Sequence, residues 1–228
     1  IADVPAADPL VVIDEADNNG VPTVAFVSDV SDGNTCPETI TRTYSVTDAC
    51  ANVITVTQII TVNDITNPTG TAPANITVQC IGDVPASDVT LITDEADNCT
   101  AAPVVQHVSD VSDGNTCPET ITRTYSITDD CANTINVTQT IVVDDTTNPT
   151  ASAPAGITVQ CIGDVPAPDP TLITDEADNC SVPTVAFVSD VSDGNTCPET
   201  ITRTYSVTDN CANVITVTQI ITVNDITN

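Results

Sequence analysis

Residues 39–48 read Thr-Ile-Thr-Arg-Thr-Tyr-Ser-Val-Thr-Asp, and their side chains alternate strictly between two faces. Ile40, Tyr44 and Val46 fall on one face together with Arg42, whereas Thr and Ser residues fall on the other. A period of two sustained over this length is typical of a β-strand that buries one face. The stretch therefore predicts a half-buried strand.

Further strands are predicted from short apolar runs that are bounded by Gly, Asp, Asn and Pro clusters. These runs lie at residues 54–62, 76–80, 89–93 and 104–111. No stretch shows the apolar period of 3.6 that is typical of an amphipathic helix. Short strands with turns about every 8–12 residues predict an all-β chain made of immunoglobulin-like antiparallel β-sandwiches.

The chain is internally repeated. The string SDVSDGNTCPETITRTYS occurs three times, at 28–45, 109–126 and 189–206. Such self-similarity is typical of tandem arrays. We predict three domains strung out in an extended array, at 1–66, 67–147 and 148–228. Because Ile1 aligns with Ile81, the first repeat is expected to lack its opening strand.

Charge excludes several classes of function. The chain has 32 Asp and Glu residues against three Arg and no Lys, which gives a net charge of −29. A field this negative repels nucleic acid and anionic lipid. No apolar run approaches the ~20 residues of a membrane helix, so we expect no membrane span in this segment. The regular spacing of Val, Ile and Thr argues against a disordered acidic tail.

Disulfide bonds are expected to stabilise a unit this small, because its few aromatic residues leave it with a modest core. Each complete repeat holds four: Cys80, Cys99, Cys117 and Cys131, then Cys161, Cys180, Cys197 and Cys211. This density predicts disulfides and an oxidising, extracellular setting.

Strand length helps to rank the possible pairings. Cys117 and Cys131 flank a strand of ~30 Å, whereas a disulfide tolerates a Cα separation of only ~7 Å. Alternating strand directions favour the pairs Cys80–Cys117, Cys99–Cys131, Cys161–Cys197 and Cys180–Cys211. The first repeat has Asn19 at the position of Cys99 yet keeps Cys50, which this pairing leaves as a thiol. The alternative, Cys80 with Cys99, requires a residue other than cysteine before Ile1.

Three strings carry a family resemblance: Ile-Thr-Val-Gln-Cys at 76–80, Asp-Asn-Cys at 97–99, and the run from Cys117 to Asn133. The unit resembles the HYR-like (hyalin-repeat-like) immunoglobulin-type modules of Bacteroidota surface proteins. The resemblance implies a spacer or adhesive array in giant adhesins secreted to the cell surface, including those of gliding flavobacteria. It assigns no ligand. Where the commoner family sequence has Gly, this chain has Ala51, Ala132 and Ala212, a departure that concerns only a local turn.

Acidic residues recur in one loop of each repeat, in the linkers between repeats and at the end of the central strand. Several hard oxygen ligands from different loops are what Ca²⁺ needs. The linkers also resemble those of calcium-stiffened cadherin arrays, by analogy only. The candidate calcium ligands are Asp14, Glu15, Asp17, Asp48, Asp64, Asn67, Asp94, Glu95, Asp97, Asp129, Asp145, Asn148, Asp175, Glu176, Asp178 and Asp209. The alternative is that these are ordinary turn residues on a solvated surface.

The three arginines, Arg42, Arg123 and Arg203, lie on the apolar side of their strands. A buried guanidinium requires a partner, so we expect a structural ion pair with a carboxylate of the same repeat, and ligand binding is the alternative. His107 aligns with Phe26 and Phe187 and is expected to replace a packed aromatic ring. Repeated loops with no histidine in common do not predict an enzyme.

These observations predict structural stalk or spacer repeats of a large, secreted cell-surface adhesin or extracellular filament, stiffened by calcium. Its partners would be neighbouring repeats of the same long chain, with surface glycan or a host or substratum ligand reached through other domains. Two alternatives stay open. The repeats themselves could bind glycan or ice, or the chain could be a self-assembling filament subunit that is completed by a donated strand.

Overall fold

The computed structural model describes residues 4–227, so the ends of the first and third predicted repeats, 1–3 and 228, lie outside the described residues. Thirteen strands and five short 3-10 helices are described, and no α-helix occurs among residues 4–227. The prediction of an all-β chain is therefore confirmed.

Each strand is named here by its order in the chain. The strands are β1 (Thr23–Ser31), β2 (Glu38–Thr47), β3 (Val53–Val62), β4 (Thr69–Thr71), β5 (Ile76–Val78), β6 (Thr93–Ala96), β7 (Val104–Ser112), β8 (Glu119–Thr128), β9 (Thr134–Val143), β10 (Ile157–Val159), β11 (Thr184–Ser192), β12 (Glu199–Thr208) and β13 (Val214–Val223). The 3-10 helices are Pro9–Val11, Ile81–Asp83, Val89–Leu91, Ile162–Asp164 and Pro170–Leu172.

The strand predicted at 89–93 is wrong over most of its length. Val89–Leu91 is a 3-10 turn, closed by a hydrogen bond from the Ile92 N–H to the Val89 carbonyl oxygen (3.2 Å). The turn places Ile92 in the core, with 3% of its surface exposed. Extended structure begins only at Thr93.

Every repeat contains the same antiparallel meander of three long strands, β1-β2-β3, β7-β8-β9 and β11-β12-β13. In the second and third repeats a short opening strand joins the sheet as well. β5 pairs with β9, and β10 pairs with β13, both in parallel. These two sheets therefore add one short parallel pair to the antiparallel meander that the sequence predicts. β4 and β6 form a separate two-stranded antiparallel sheet.

Backbone contacts divide the chain into two compact units. One comprises the residues up to Pro73 together with Val89–Val108 and Tyr125–Val137. The other comprises Ala74–Asp88, Ser109–Thr124 and the residues from Thr138 onward. Each unit thus holds a terminal repeat, the part of the middle repeat that adjoins it, and the junction between the two.

The cores are small and follow the predicted alternation. On β2, Ile40, Tyr44 and Val46 are buried, and the Thr and Ser residues between them are half-buried. In the first unit Ile92, Tyr125 and Ile127 form a cluster. In the second unit two clusters form, Ile121, Ile141 and Val143, and Ile201, Ile221 and Val223.

Each arginine makes a two-pronged ion pair with an aspartate on the preceding strand. Arg42 donates from Nε and Nη2 to the two carboxylate oxygens of Asp29 (2.8 and 2.9 Å). The same pairing joins Arg123 to Asp110 and Arg203 to Asp190. These hydrogen bonds hold the pKa of Asp29 below its ordinary value and raise the pKa of Arg42. These ion pairs join the first and second strands of each meander.

An aromatic pair lies beside each of these ion pairs. Phe26 and Phe187 pack edge-on against Tyr44 and Tyr205, with ring centroids 6.4 and 6.3 Å apart. His107 occupies the same place in the second repeat, 5.9 Å from the Tyr125 ring. The histidine ring therefore takes part in packing.

The contribution of the ion pair can be tested with Arg42→Met, which keeps the apolar stem of the side chain and removes its charge. The variant should lose unfolding free energy near pH 7, because the Asp29 carboxylate is left without its partner. The depressed pKa of Asp29 means that this stability is present above its unfolded-state pKa of about 3.9 and is lost as the pH falls through the lower folded-state value. Urea unfolding of both chains between neutral pH and pH 2 should show the gap closing in acid. A gap that is independent of pH would contradict the ion-pair explanation.

Candidate metal centre at the repeat junctions

All three disulfides in the described residues join one repeat to the next. Cys36 bonds Cys131 in the first unit. In the second unit Cys80 bonds Cys180, and Cys117 bonds Cys211. The Cα atoms of the bonded pairs are 5.1–5.2 Å apart.

The predicted pairings are therefore wrong. None of the pairs Cys80–Cys117, Cys99–Cys131, Cys161–Cys197 and Cys180–Cys211 is formed, and Cys80 does not bond Cys99. The prediction assumed that each repeat supplies both halves of its own bridges. The loops that carry cysteine instead meet the loops of the adjacent repeat. Cys50, Cys161 and Cys197 are exposed thiols.

A linker aspartate lies at the centre of each junction, Asp64 in the first unit and Asp145 in the second. Only 9% and 4% of their surfaces are exposed. Oδ1 of Asp64 accepts hydrogen bonds from the Thr66 N–H (2.9 Å) and the Asn98 amide (3.3 Å). The Thr66 N–H, above all, and then the Asn98 amide keep the pKa of Asp64 below its ordinary value. The carboxylate is therefore ionised at neutral pH.

The turn after the central strand is organised by an aspartate as well. Oδ1 of Asp129 accepts from the N–H groups of Cys131 and Asn133, both at 2.8 Å, and Oδ2 accepts from the Asn133 amide (2.8 Å). The same amide donates to the Asp64 carbonyl oxygen (3.1 Å). A side chain of the second repeat thus holds the backbone of the linker that precedes it.

The third repeat uses the same turn in the second unit. Asp209 accepts from Cys211 and Asn213, and the Asn213 amide donates to the Asp145 carbonyl oxygen at 2.8 Å. In both turns the residue before the asparagine has a positive φ, 66° at Ala132 and 65° at Ala212. At both positions this chain has alanine where the commoner sequence of HYR-like modules has glycine.

The acidic loop contributes a third carboxylate. Oδ2 of Asp97 accepts from the N–H groups of Cys99 and Thr100, both at 2.8 Å. Oδ1 of Asp97 and Oδ2 of Asp64 are buried and have no hydrogen-bond partner among the described residues. Asp178 repeats the arrangement in the second unit, and its Oδ1 is likewise buried without a partner there.

These side chains converge. In the first unit, carboxylate oxygens of Asp64, Asp97 and Asp129 lie within 4.8 Å of one another. In the second unit the corresponding group is Asp145 and Asp178, together with the sulfur of Cys180. Because that sulfur is in a disulfide, only the carboxylates of this group are available to a hard cation. Carboxylates this close repel one another unless a cation or proton lies between them.

The remaining predicted ligands do not join either cluster in the part of the chain that the structure describes. Asp48 is occupied by the backbone of its own turn, Asp17 by the Asn19 N–H and Asp175 by the Ser152 N–H. Six further carboxylates are not part of the two groups: Asp14, Glu15, Asp94, Glu95, Glu176 and Asp209. The linker asparagines Asn67 and Asn148 are exposed.

The asparagines that bind the linker were not among the predicted site residues. Asn98 and Asn179 donate to the carboxylates of Asp64 and Asp145, both at 3.3 Å, and Asn133 donates to a linker carbonyl. A signal was present in the sequence, because these asparagines recur beside the cysteines of the repeats. Asp-Asn-Cys occurs at 97–99 and 178–180, and Cys-Ala-Asn occurs at 50–52, 131–133 and 211–213.

The third repeat is similar to a described family of domains. Residues 149–223 match the family model for an HYR-like domain with 4 cysteines. Residues 21–67 repeat 182–228 with one difference, so much of the matched sequence also occurs in the first repeat. This supports the HYR-like, immunoglobulin-type repeat predicted from the sequence. The match is to a repeat domain and not to an enzyme.

Two further comparisons concern curated proteins and solved structures. No curated protein matches the chain. Among solved structures, the chain is similar to a protocadherin gammaB7 EC3-6 cis-dimer structure, with 10% sequence identity and a TM-score of 0.32, over 88% of this chain and 68% of that one. Within residues 4–227, no helix has the length and apolar character needed to cross a bilayer.

The cost of the left-handed backbone at Ala212 can be tested with Ala212→Gly. An L-residue in this conformation costs about 1–2 kcal/mol, and glycine avoids this cost but loses about 0.5–1 kcal/mol more chain entropy on folding. The variant should therefore gain about 0.5–1 kcal/mol of unfolding free energy, measured by urea denaturation. Ala186→Gly on β11, where φ is not positive, is the matched control and should lose stability. A loss in both variants would show that the turn is not strained.

Proposed function

We propose that these repeats form a structural spacer in the stalk of a large, secreted cell-surface adhesin or extracellular filament, and that calcium bound at the junctions stiffens it. The proposal rests chiefly on the buried carboxylate oxygens of Asp64 and Asp97, which have no hydrogen-bond partner among the described residues. They come from two successive repeats and lie beside Asp129.

The chemistry of this cluster favours a cation. An unsatisfied buried polar group costs about 1–3 kcal/mol, and a charged one costs more. The Thr66 N–H and the Asn98 amide lower the pKa of Asp64, which favours a negative charge at this position. Ca²⁺ binds six to eight oxygens, prefers carboxylates and tolerates irregular geometry. Three carboxylates would supply part of this set, and water and backbone carbonyl oxygens would complete it.

A cation at this position would have a mechanical effect. Asp64 belongs to the linker that ends the first repeat, whereas Asp97 and Asp129 belong to the second. An ion bound to all three would add a strong contact across the junction, alongside the Cys36–Cys131 bond. The second unit offers Asp145 and Asp178 together with the Cys80–Cys180 and Cys117–Cys211 bonds. These are means of fixing neighbouring repeats and involve no reacting group.

The disulfides and the negative charge support an extracellular location. Disulfides persist in oxidising compartments, which supports secretion. The high negative charge keeps a long, Thr-rich polymer soluble and discourages pairing between sheet edges. We place the parent protein on the surface of Bacteroidota, in the class of adhesins that includes those used in gliding. Adhesion to glycan or to a host or substratum ligand would then belong to other domains.

Calcium binding is tested by isothermal titration calorimetry and by thermal unfolding in calcium and in chelator. The chain should bind about one ion per junction, and its free energy of unfolding should rise by about 2.7 kcal/mol per bound ion when free calcium is one hundred times the dissociation constant. Asp97→Asn should remove one binding event, because it replaces a ligand charge with a neutral amide of equal size.

Asp94→Asn is the matched control, because Asp94 lies three residues away on β6 and is exposed. It should leave both binding events intact. If neither heat nor a shift in unfolding is seen at millimolar calcium, the calcium part of the proposal fails. Small-angle scattering tests the stiffening: the maximum dimension of the chain should increase with calcium in the wild type, but increase less in Asp97→Asn.

A further inference from the structure

We propose that the cross-repeat bonds Cys36–Cys131 and Cys80–Cys180 are coupled to the cation sites beside them, so that calcium protects both bonds from thiol reductants and loss of a bond weakens calcium binding. The inference rests on the proposed function, because it concerns the regulation of the same two sites. Calcium and a thiol reductant would then act in opposite directions on each junction.

In each carboxylate cluster, one aspartate lies two residues before a bonded cysteine and accepts a hydrogen bond from its N–H. Oδ1 of Asp129 accepts from the Cys131 N–H at 2.8 Å, and Oδ2 of Asp178 accepts from the Cys180 N–H at 3.0 Å. One tight turn of the Asx type therefore fixes both a ligand carboxylate and a disulfide sulfur. A displacement of the sulfur would move the carboxylate as well.

In the second unit the bond and the cluster are in close proximity. The Sγ of Cys180 lies within 4.8 Å of carboxylate oxygens of Asp145 and Asp178. The amide of Asn179 donates to Oδ1 of Asp145 at 3.3 Å. The same amide nitrogen lies 2.9 Å from the Sγ of Cys180 and 3.4 Å from the Sγ of Cys80. One side chain thus contacts the linker carboxylate and both sulfur atoms of the bond.

In the first unit the disulfide holds the linker beside the turn. The Sγ of Cys36 lies 3.9 Å from the Asp64 carbonyl oxygen, and its bond to Cys131 leads directly to the turn of Asp129. Oδ2 of Asp64 is buried and has no hydrogen-bond partner among the described residues, so this oxygen is available to a cation. The bond therefore brings ligands from two successive repeats to one place.

Shared positioning makes the ion and the bond thermodynamically dependent on each other. Without the disulfide, the ion alone would have to order the linker and the turn, and the entropy lost in this ordering lowers its affinity. Coupling between two sites is reciprocal, so calcium stabilises the bond by the same factor by which the bond strengthens calcium binding. Such factors are typically about 5 to 150.

A bound cation would also change the rate of reduction, in the opposite sense. The attacking species is a thiolate, which nearby carboxylates repel. A cation offsets their charge and so eases the attack. This effect concerns the speed of exchange and leaves its equilibrium unchanged, so the coupling has to be measured at equilibrium.

The bond Cys117–Cys211 provides an internal control. It crosses the same junction as Cys80–Cys180, and Asp209 accepts from the Cys211 N–H at 2.8 Å. Asp209, however, belongs to neither carboxylate group among the described residues. If calcium only stabilised the junction as a whole, both bonds of the second unit would be protected equally. Coupling through the turn protects Cys80–Cys180 more.

Reduction by dithiothreitol proceeds through thiol–disulfide exchange. One thiolate of dithiothreitol attacks a cysteine sulfur and releases the other cysteine as a thiolate. The second thiol of dithiothreitol then loses its proton, attacks the mixed disulfide, releases the remaining cysteine and closes a cyclic disulfide. The two electrons pass from dithiothreitol to the cysteines, which also take up its two thiol protons.

The whole chain is equilibrated with mixtures of reduced and oxidised dithiothreitol, either in millimolar calcium or in chelator. Free thiols are then trapped by alkylation and assigned by peptide mapping. For Cys36–Cys131 and Cys80–Cys180, the ratio of reduced to oxidised dithiothreitol at half reduction should rise at least about fivefold in calcium. The rise for Cys117–Cys211 should be smaller.

Two variants serve as controls for each other. Asp97→Asn should remove the calcium effect at Cys36–Cys131 alone, and Asp178→Asn should remove it at Cys80–Cys180 alone, because each variant neutralises a ligand of one cluster. Calorimetry on the same wild-type chain separates this proposal from the proposed function. If calcium binds but no bond is protected, or all three bonds are protected equally, the coupling is wrong and the calcium sites stand. If no calcium binds, both proposals fail.

Discussion

The linker aspartate is the residue on which each junction depends. The following repeat holds Asp64 and Asp145 twice, through the backbone carbonyl oxygen and through the carboxylate. Both contacts come from asparagine amides, which carry no charge and so do not compete with a cation for the carboxylate. Both aspartates are buried at this contact, with 9% and 4% of their surfaces exposed. The disulfides and the converging carboxylates are arranged around this point.

Features that depend on local sequence could be predicted. The alternation at 39–48 is enough to place Ile40 and Tyr44 in the core, because side chains of a strand point alternately to its two faces. The demand of a buried guanidinium for a carboxylate anticipates the pairing of Arg42 with Asp29. The turn at Val89–Leu91 was missed because a stretch of three residues, here Val-Thr-Leu, is too short to show a period that distinguishes a strand from a 3-10 turn.

The disulfides could not be predicted because their geometry is not local. The strand-length argument separates Cys117 from Cys131, and the structure agrees with it. It says nothing about which cysteine of a neighbouring repeat comes near. Of the sixteen candidate ligands, the clusters contain those that lie where a linker, an acidic loop and a turn meet. Sequence spacing within one repeat cannot show that meeting, since it joins Asp64 to residues of the next repeat.

The cross-repeat bonds also decide how the chain would carry tension. A pull applied on either side of Cys36 and Cys131 passes through their sulfur atoms, so the backbone from Cys36 to Cys117 bears no load. The Cys117–Cys211 bond shields the backbone in the same way, and the two shielded segments overlap. The shortest covalent route from Cys36 to Cys211 therefore runs through both bonds and along β8 alone. Unfolding of the other strands in these segments would not lengthen the molecule, and force would act on a single central strand.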